Sequence, residues 1–136
     1  MIKIEYSNIG GHKVEIIEVL KALAHENRIR ILNLLAKSEL CVCELENIMQ
    51  VNQSNASRHL AKLKQVNLIK GRKKAQWIYY HLNEKMLAEH QFIRLLVEDE
   101  LDGFADARDD LKRLKKYNNS SLSCETLPES DLFSKQ

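Results

Sequence analysis

Between Lys13 and Ala24 the apolar residues Val14, Ile17, Leu20 and Leu23 recur at three- to four-residue spacing, the mark of one buried helix face. Ala24-His25-Glu26-Asn27 interrupts the pattern. A second helix follows with Ile29, Leu32 and Leu35 apolar, and Glu26 in its first turn, where the helix dipole favours an acid. Ser38-Glu39 reads as a connection to a short helix from about Val42 to Met49, with Leu45, Ile48 and Met49 apolar. Val51-Asn52 breaks that stretch, and Asn52 is a good N-cap for a helix reaching about Val66, buried along Ala56, Leu60 and Leu63. Then the period changes. Leu68-Ile69-Lys70 and Trp77 to Leu82 are rich in β-branched and aromatic residues and flank Gly71 and a basic run, which predicts a β-hairpin. From about Asn83 helical spacing returns in Leu87, Ile93, Leu96, Val97, Leu101 and Phe104, and extends through Leu111 and Leu114 to Lys116 as one long helix. The chain is thus divided into an N-terminal arm (1–12, with Gly10-Gly11), one folded domain (13–116) and a flexible tail (117–136) of Asn, Ser, Glu and the only proline, Pro128.

The fold class expected is mainly α with a small β-hairpin, and the order of parts is that of a winged helix-turn-helix. In such units the second helix of the pair enters the major groove and its start presents side chains to base edges. The outward positions of helix 52–66 suit such contacts. Gln53, Ser54, Asn55, Ser57 and Arg58 are small or polar hydrogen-bonders, and Lys62 lies further along. His59, beside Arg58, is expected to touch phosphate. The hairpin carries Lys70, Arg72, Lys73 and Lys74, able to reach phosphates beside the groove. Trp77, Tyr79 and Tyr80 are read as packing the hairpin on the core.

The formal net charge of +2 hides this asymmetry. Gln53 to Lys74 holds seven Lys or Arg and no acid, so the rest of the chain is net acidic. A localised basic block points to a polyanion partner, here double-stranded DNA. No apolar run approaches the roughly 18–20 residues that span a bilayer, so no membrane partner is expected. The start, Met1-Ile2-Lys3-Ile4-Glu5, has no basic region leading into an apolar core, and a cytoplasmic location is expected. There are three cysteines, an odd number, two of them in Cys41-Val42-Cys43. That is no disulfide framework, and reduced thiols for metal or redox chemistry fit it better. There is no phosphate-cradling glycine loop and no Ser-His-Asp or Cys-x5-Arg arrangement, so an enzyme is not expected.

Leu20 to Leu32, Glu39-Leu40-Cys41-Val42-Cys43-Glu44-Leu45, Ser57-Arg58-His59-Leu60 and the wing from Gly71 to Leu82 together closely resemble the ArsR/SmtB family of metalloregulators. The resemblance covers roughly residues 13–104, and the Cys-Val-Cys-Glu-Leu box is its most specific part. It implies a homodimer, with the first and last long helices at the subunit interface, and the operator expected is an inverted repeat with one half-site per protomer. It implies a repressor that leaves DNA when inducer binds, with base-contacting positions at Gln53, Ser54, Ser57 and Arg58.

The box has chemistry of its own. Residues i and i+2 of a helix lie about 200° apart, so Cys41 and Cys43 share one ion only if the first turn opens or the pair precedes it. Chelation there would distort the helix just before the recognition helix, which is the differential interaction allostery requires. Soft thiolates select thiophilic ions such as As(III) and Sb(III), cadmium, lead or copper(I). The inducer expected is arsenite or antimonite, and no obligatory cofactor is expected. The sequence departs from arsenic-responsive relatives at Glu46, where a third cysteine often stands, which leaves Cys124 as the only other thiol. The arm lacks the cysteines of cadmium and lead sensors, and the last helix offers only His90 toward a zinc-type site. Ala75 stands near the wing tip where the family usually has glycine. Two alternatives stay open: a thiol redox switch on the same scaffold, and an inducer-independent DNA-binding protein whose cysteines are small buried side chains.

Overall fold

The computed structural model describes residues 9–133, with side chains from residue 15 onward. The helices are α1 (Ile9–Leu23), α2 (Glu26–Leu35), α3 (Val42–Met49), α4 (Gln53–Gln65), α5 (Glu84–Glu89), α6 (Gln91–Glu98) and α7 (Ala105–Asn118). The strands are β1 (Leu40–Cys41), β2 (Ile69–Lys74) and β3 (Trp77–Leu82), forming an antiparallel sheet in the order β1-β3-β2. Residues 1–8 of the expected arm lie outside the described residues, and residues 9–12 already belong to α1.

Local chemistry explains most of these boundaries. His25 caps α2 by accepting the amide N–H of Asn27 at Nδ1, 3.1 Å away. Asn52 caps α4 by accepting the N–H of Asn55 at 2.8 Å, and Ala56, Leu60 and Leu63 of that helix are buried, as the spacing predicts. The wing is a hairpin with a two-residue connection, Lys74 pairing with Trp77 across it. Ala75 there has φ 57, a left-handed conformation that favours glycine. At Gly71 a Cβ would come within 2.9 Å of Ile78 Cγ2, so a larger residue there would have to displace that side chain.

Two expectations are corrected. The long helix from Asn83 is broken at His90 (φ −128, ψ 89) and again around Asp99 to Phe104, where a short 3-10 turn (Glu100–Gly103) intervenes. Those breaks turn the chain so that α7 packs back on α2 and α3. Nor does the chain loosen at residue 117. Tyr117, Cys124 and Leu127 are buried, and Leu122, Leu132 and Phe133 pack on the core. The few apolar residues scattered through this polar segment supply its docking surface. Ile31, Leu34, Leu45, Ile48, Leu63 and Leu68 form the centre of the core beneath it.

Candidate functional site

The basic surface is built first by α4. Gln53, Ser54, Ser57, Arg58 and Lys62 are exposed, and Asn55 is half-buried. Asn55 Oδ1 accepts a hydrogen bond from Arg58 Nη2 at 2.7 Å, which holds that guanidinium over the outer face of the helix. Strand β2 packs beside α4, and every residue of it after Ile69 is exposed. Lys70, Lys73 and Lys74 therefore face solvent, while Arg72 is engaged with Glu39 at 2.5 Å. Arg72 must exchange that carboxylate to reach a phosphate. Trp77 and Tyr79 pack inward, in line with the sequence-based expectation.

His59 does not belong to this surface. It is 4% exposed, its ring 4.3 Å from that of His25, and Arg28 Nη1 lies 3.2 Å from its Nδ1. Burial first, then the positive charges of His25, Arg28 and Arg58, lower its pKa to about 4. A neutral, buried imidazole makes no phosphate contact. The signal was present: Ala56, His59, Leu60 and Leu63 follow the i, i+3, i+4, i+7 rule of one helix face.

The second candidate site lies at the other end of the helix-turn-helix. Cys41 ends β1 and occupies the N-cap of α3 with extended backbone (φ −89, ψ 171), whereas Cys43 lies in the first turn. The helical 200° separation therefore does not apply to the pair. Both side chains and that of Cys124, 83 residues from Cys41, form one buried cluster covered by Trp77 and Tyr79 of the wing strand. Cys41 and Cys124 are disulfide-bonded, with Cα atoms 7.4 Å apart. Cys43 remains a thiol and donates to the carbonyl oxygen of Cys124 at 3.2 Å. Burial, and then Glu46 and Glu44, push its pKa up. In this disulfide-bonded form no group of three or more His, Cys, Asp or Glu is arranged to hold a metal ion among the described residues.

Sequence reasoning missed the links from this cluster to the helices. Glu44 Oε1 accepts the Cys41 N–H at 2.9 Å, and its other oxygen accepts the hydroxyl of Tyr117. Burial and that carboxylate hold Tyr117 protonated. At the far end of α3, Arg30 Nη2 donates to the Met49 carbonyl at 2.8 Å, and Arg113 donates to that of Ile48. Asp110, fully buried, binds both arginines, with Arg30 bidentate at 2.7 Å and Arg113 at 2.9 Å. Cations at a helix C-terminus satisfy its last carbonyls. Thus α7 and the segment after it grip α3 at both ends. The contacts of α3 with α7 and with the segment after it join residues 65–81 apart in sequence, so no local pattern announces them.

Comparison with known proteins places this geometry. The family described as "Bacterial regulatory protein, arsR family" matches residues 25–70. The arsenic resistance transcriptional regulator ArsR1 of Pseudomonas putida is 42% identical over 81 residues, covering 57% of this chain and 63% of that protein. The match thus spans less than two thirds of that relative's length. ArsR2 of the same organism, also an arsenic resistance transcriptional regulator, is 35% identical over 91 residues, 65% of this chain and 79% of the relative. The solution structure of a homodimeric winged helix-turn-helix DNA-binding domain from Mycobacterium bovis, a possible ArsR-family regulator, matches with TM-score 0.60 at 26% identity. It covers 77% of this chain and 95% of that one. The chain belongs to the ArsR family of transcriptional regulators, winged-helix DNA-binding proteins rather than enzymes.

Proposed function

We propose that this regulator is a homodimeric repressor, bound to an inverted-repeat operator and released when As(III) or Sb(III) is captured by Cys41, Cys43 and Cys124. One observation carries the reading. Three cysteines that the sequence scatters, two in the box and one near the C-terminus, form a single buried cluster at the start of α3. The donor set fits the inducer: sulfur is the soft ligand that thiophilic ions select, and in the reduced protein three thiols would be present. Glu46 is not needed as a third donor. Glu44 is already committed to the Cys41 amide and to Tyr117.

The path to DNA is short. Cys41 is at once the N-cap of α3 and the partner of Tyr79 in the sheet. Drawing three sulfurs onto one centre moves the first turn of α3, which packs on α4, and the strand β3 that carries the wing. Bound and free forms would then differ in both DNA-contacting elements, as inducer-driven release requires. On the DNA side Gln53, Ser54, Ser57 and Arg58 read bases, with Asn55 orienting Arg58, while Lys62, Lys70, Lys73, Lys74 and Arg72 meet phosphates. The names of the relatives, arsenic resistance regulators, support the inducer class.

Arsenic-edge absorption on reduced protein, prepared without added thiol, tests the ligand set. Three sulfurs per arsenic are expected in the wild type and two in Cys124→Ser, with release of operator DNA needing more arsenite in the variant. Equal sulfur counts and equal response would remove Cys124 from the site. Loss of operator binding by Cys43→Ser without any arsenite would make the cysteines structural.

A further inference from the structure

The three sulfurs lie where oxidation and inducer capture compete for the same atoms. Cys41 and Cys124 are joined by a disulfide, and Cys43 is a thiol 3.2 Å from the Cys124 carbonyl oxygen. Around that bond the helix-turn-helix is complete. Helix α3 starts directly after Cys41 with its Glu44 cap made, Tyr117 is seated on Glu44, and both arginines hold the carbonyls at its end. The disulfide coexists with a fully capped α3 that packs on α4.

From this juxtaposition we infer that Cys41 and Cys124 are a reversible oxidation site for hydroperoxides, and that the oxidised regulator keeps its DNA-binding form while losing its response to thiophilic inducer. The inference rests on the three-thiol reading above and gives that same site a second, opposing input. It differs from a simple redox switch, in which oxidation itself releases DNA.

The chemistry balances with a hydroperoxide as oxidant. One thiolate attacks the peroxide, the O–O bond breaks, a sulfenic acid forms, and the alcohol (water, for hydrogen peroxide) leaves with a proton. The second thiol attacks the sulfenic sulfur, the S–O bond breaks, the S–S bond forms and water departs. The two thiols give up two electrons in total and the peroxide takes them. A dithiol reverses the change by two exchange steps, becoming a disulfide itself. Two of the three inducer ligands are consumed, and Cys43 alone cannot replace them.

Both sulfurs are buried, so access depends on the segment after α7. Between Asn119 and Phe133 its regular structure is one 3-10 turn, Leu127–Glu129, resting on α3. Local opening of this segment, whose backbone carries little regular hydrogen bonding, uncovers Cys124 and the side of Cys41 turned toward it, while Trp77 and Tyr79 stay over the cluster. Pairing Cys41 with Cys43 instead would close a ring across the N-cap and first turn and disturb the Glu44 cap. The Cys41–Cys124 link is the product that leaves α3 intact.

The test uses the full chain, reduced and hydrogen peroxide-treated, with sodium arsenite as probe. Peptide mapping, arsenic bound per protomer and operator affinity are measured in parallel. The expected result is a Cys41–Cys124 link in both wild type and Cys43→Ser and, in the wild type, unchanged operator affinity with lost arsenic uptake. Reduction with a phosphine, followed by its removal, should restore uptake. The inference is overturned if the oxidised protein leaves the operator, if Cys43 is the main disulfide partner, or if the oxidised protein still takes up arsenic. A reduced protein that takes up no arsenic sinks the three-thiol reading and this inference with it. A reduced protein that responds and an oxidised one that dissociates would sink the inference alone.

Discussion

His59 shows how one buried side chain ties the recognition helix to α2. Its Nδ1 faces the Arg28 guanidinium at 3.2 Å, which only an unprotonated nitrogen can accept, and His25 and Arg58 add further positive charge. Its pKa in the folded protein is about 4, against about 6.5 for a free histidine. The unfolded chain therefore binds the extra proton first. Stability from this residue is complete above about pH 6.5 and is lost as pH falls toward 4. With each pKa unit worth about 1.4 kcal/mol, the loss is on the order of 1–3 kcal/mol. Denaturant melts between pH 7 and 4 should show His59→Gln less acid-sensitive than wild type. An identical pH slope in the two proteins would show that the ring is solvated.

At the scale of elements, the wing is the part whose role is most directly measured. Lys70, Lys73 and Lys74 project from β2, beside α4, with no acid on that strand. Each phosphate they neutralise adds about 0.9 to the slope of log affinity against log salt. Replacing Lys73 and Lys74 by alanine should flatten the slope by about 1–2 and leave the ratio of operator to random DNA affinity unchanged. Arg58 should behave in the opposite way, since a base contact carries about 1–3 kcal/mol of discrimination. Arg58→Ala is expected to narrow the gap between operator and random DNA in competition binding. If both affinities fell equally, Arg58 would be a phosphate contact.

At the scale of the whole molecule, the described residues leave an apolar face uncovered. Ile17 and Leu20 of α1 are 45% and 46% exposed, and Phe92 and Leu95 of α6 are 41% and 48% exposed. Leu20, Phe92 and Leu95, together with Leu23, Ile29 and Leu96, line a shallow groove between the two helices. A contiguous apolar patch of this kind marks an interaction surface. A second copy of the chain is its proposed occupant, consistent with the homodimeric relative. Leu95→Glu would bury an unpaired charge in that interface. The variant should sediment as a monomer with normal helical content and bind a single half-site weakly. A dimer that survives the substitution would place the interface elsewhere.

Much of this protein is determined locally. Helical spacing, the Asn52 cap, the β-branched and aromatic run of β3 and the basic block suffice for a winged helix-turn-helix with its basic face on α4 and β2, because caps and periodicities act over a turn or two. The phase of α4 was legible too, and it carried the burial of His59. What only the tertiary structure decided are the long-range partnerships. Local pattern reads residues 83–116 as one helix, yet the chain must bend at His90 and Phe104 to bring α7 onto α2. It reads 117–136 as a solvated tail, because a few apolar residues among Ser and Asn show no period. Leu122, Leu127 and Leu132 find packing only because α3 and the core offer a surface that already exists. Docking that segment sets Cys124 against Cys41 and Cys43, and Tyr117 against Glu44. Such contacts depend on which surfaces meet after the core has formed, and spacing along the chain carries no record of them.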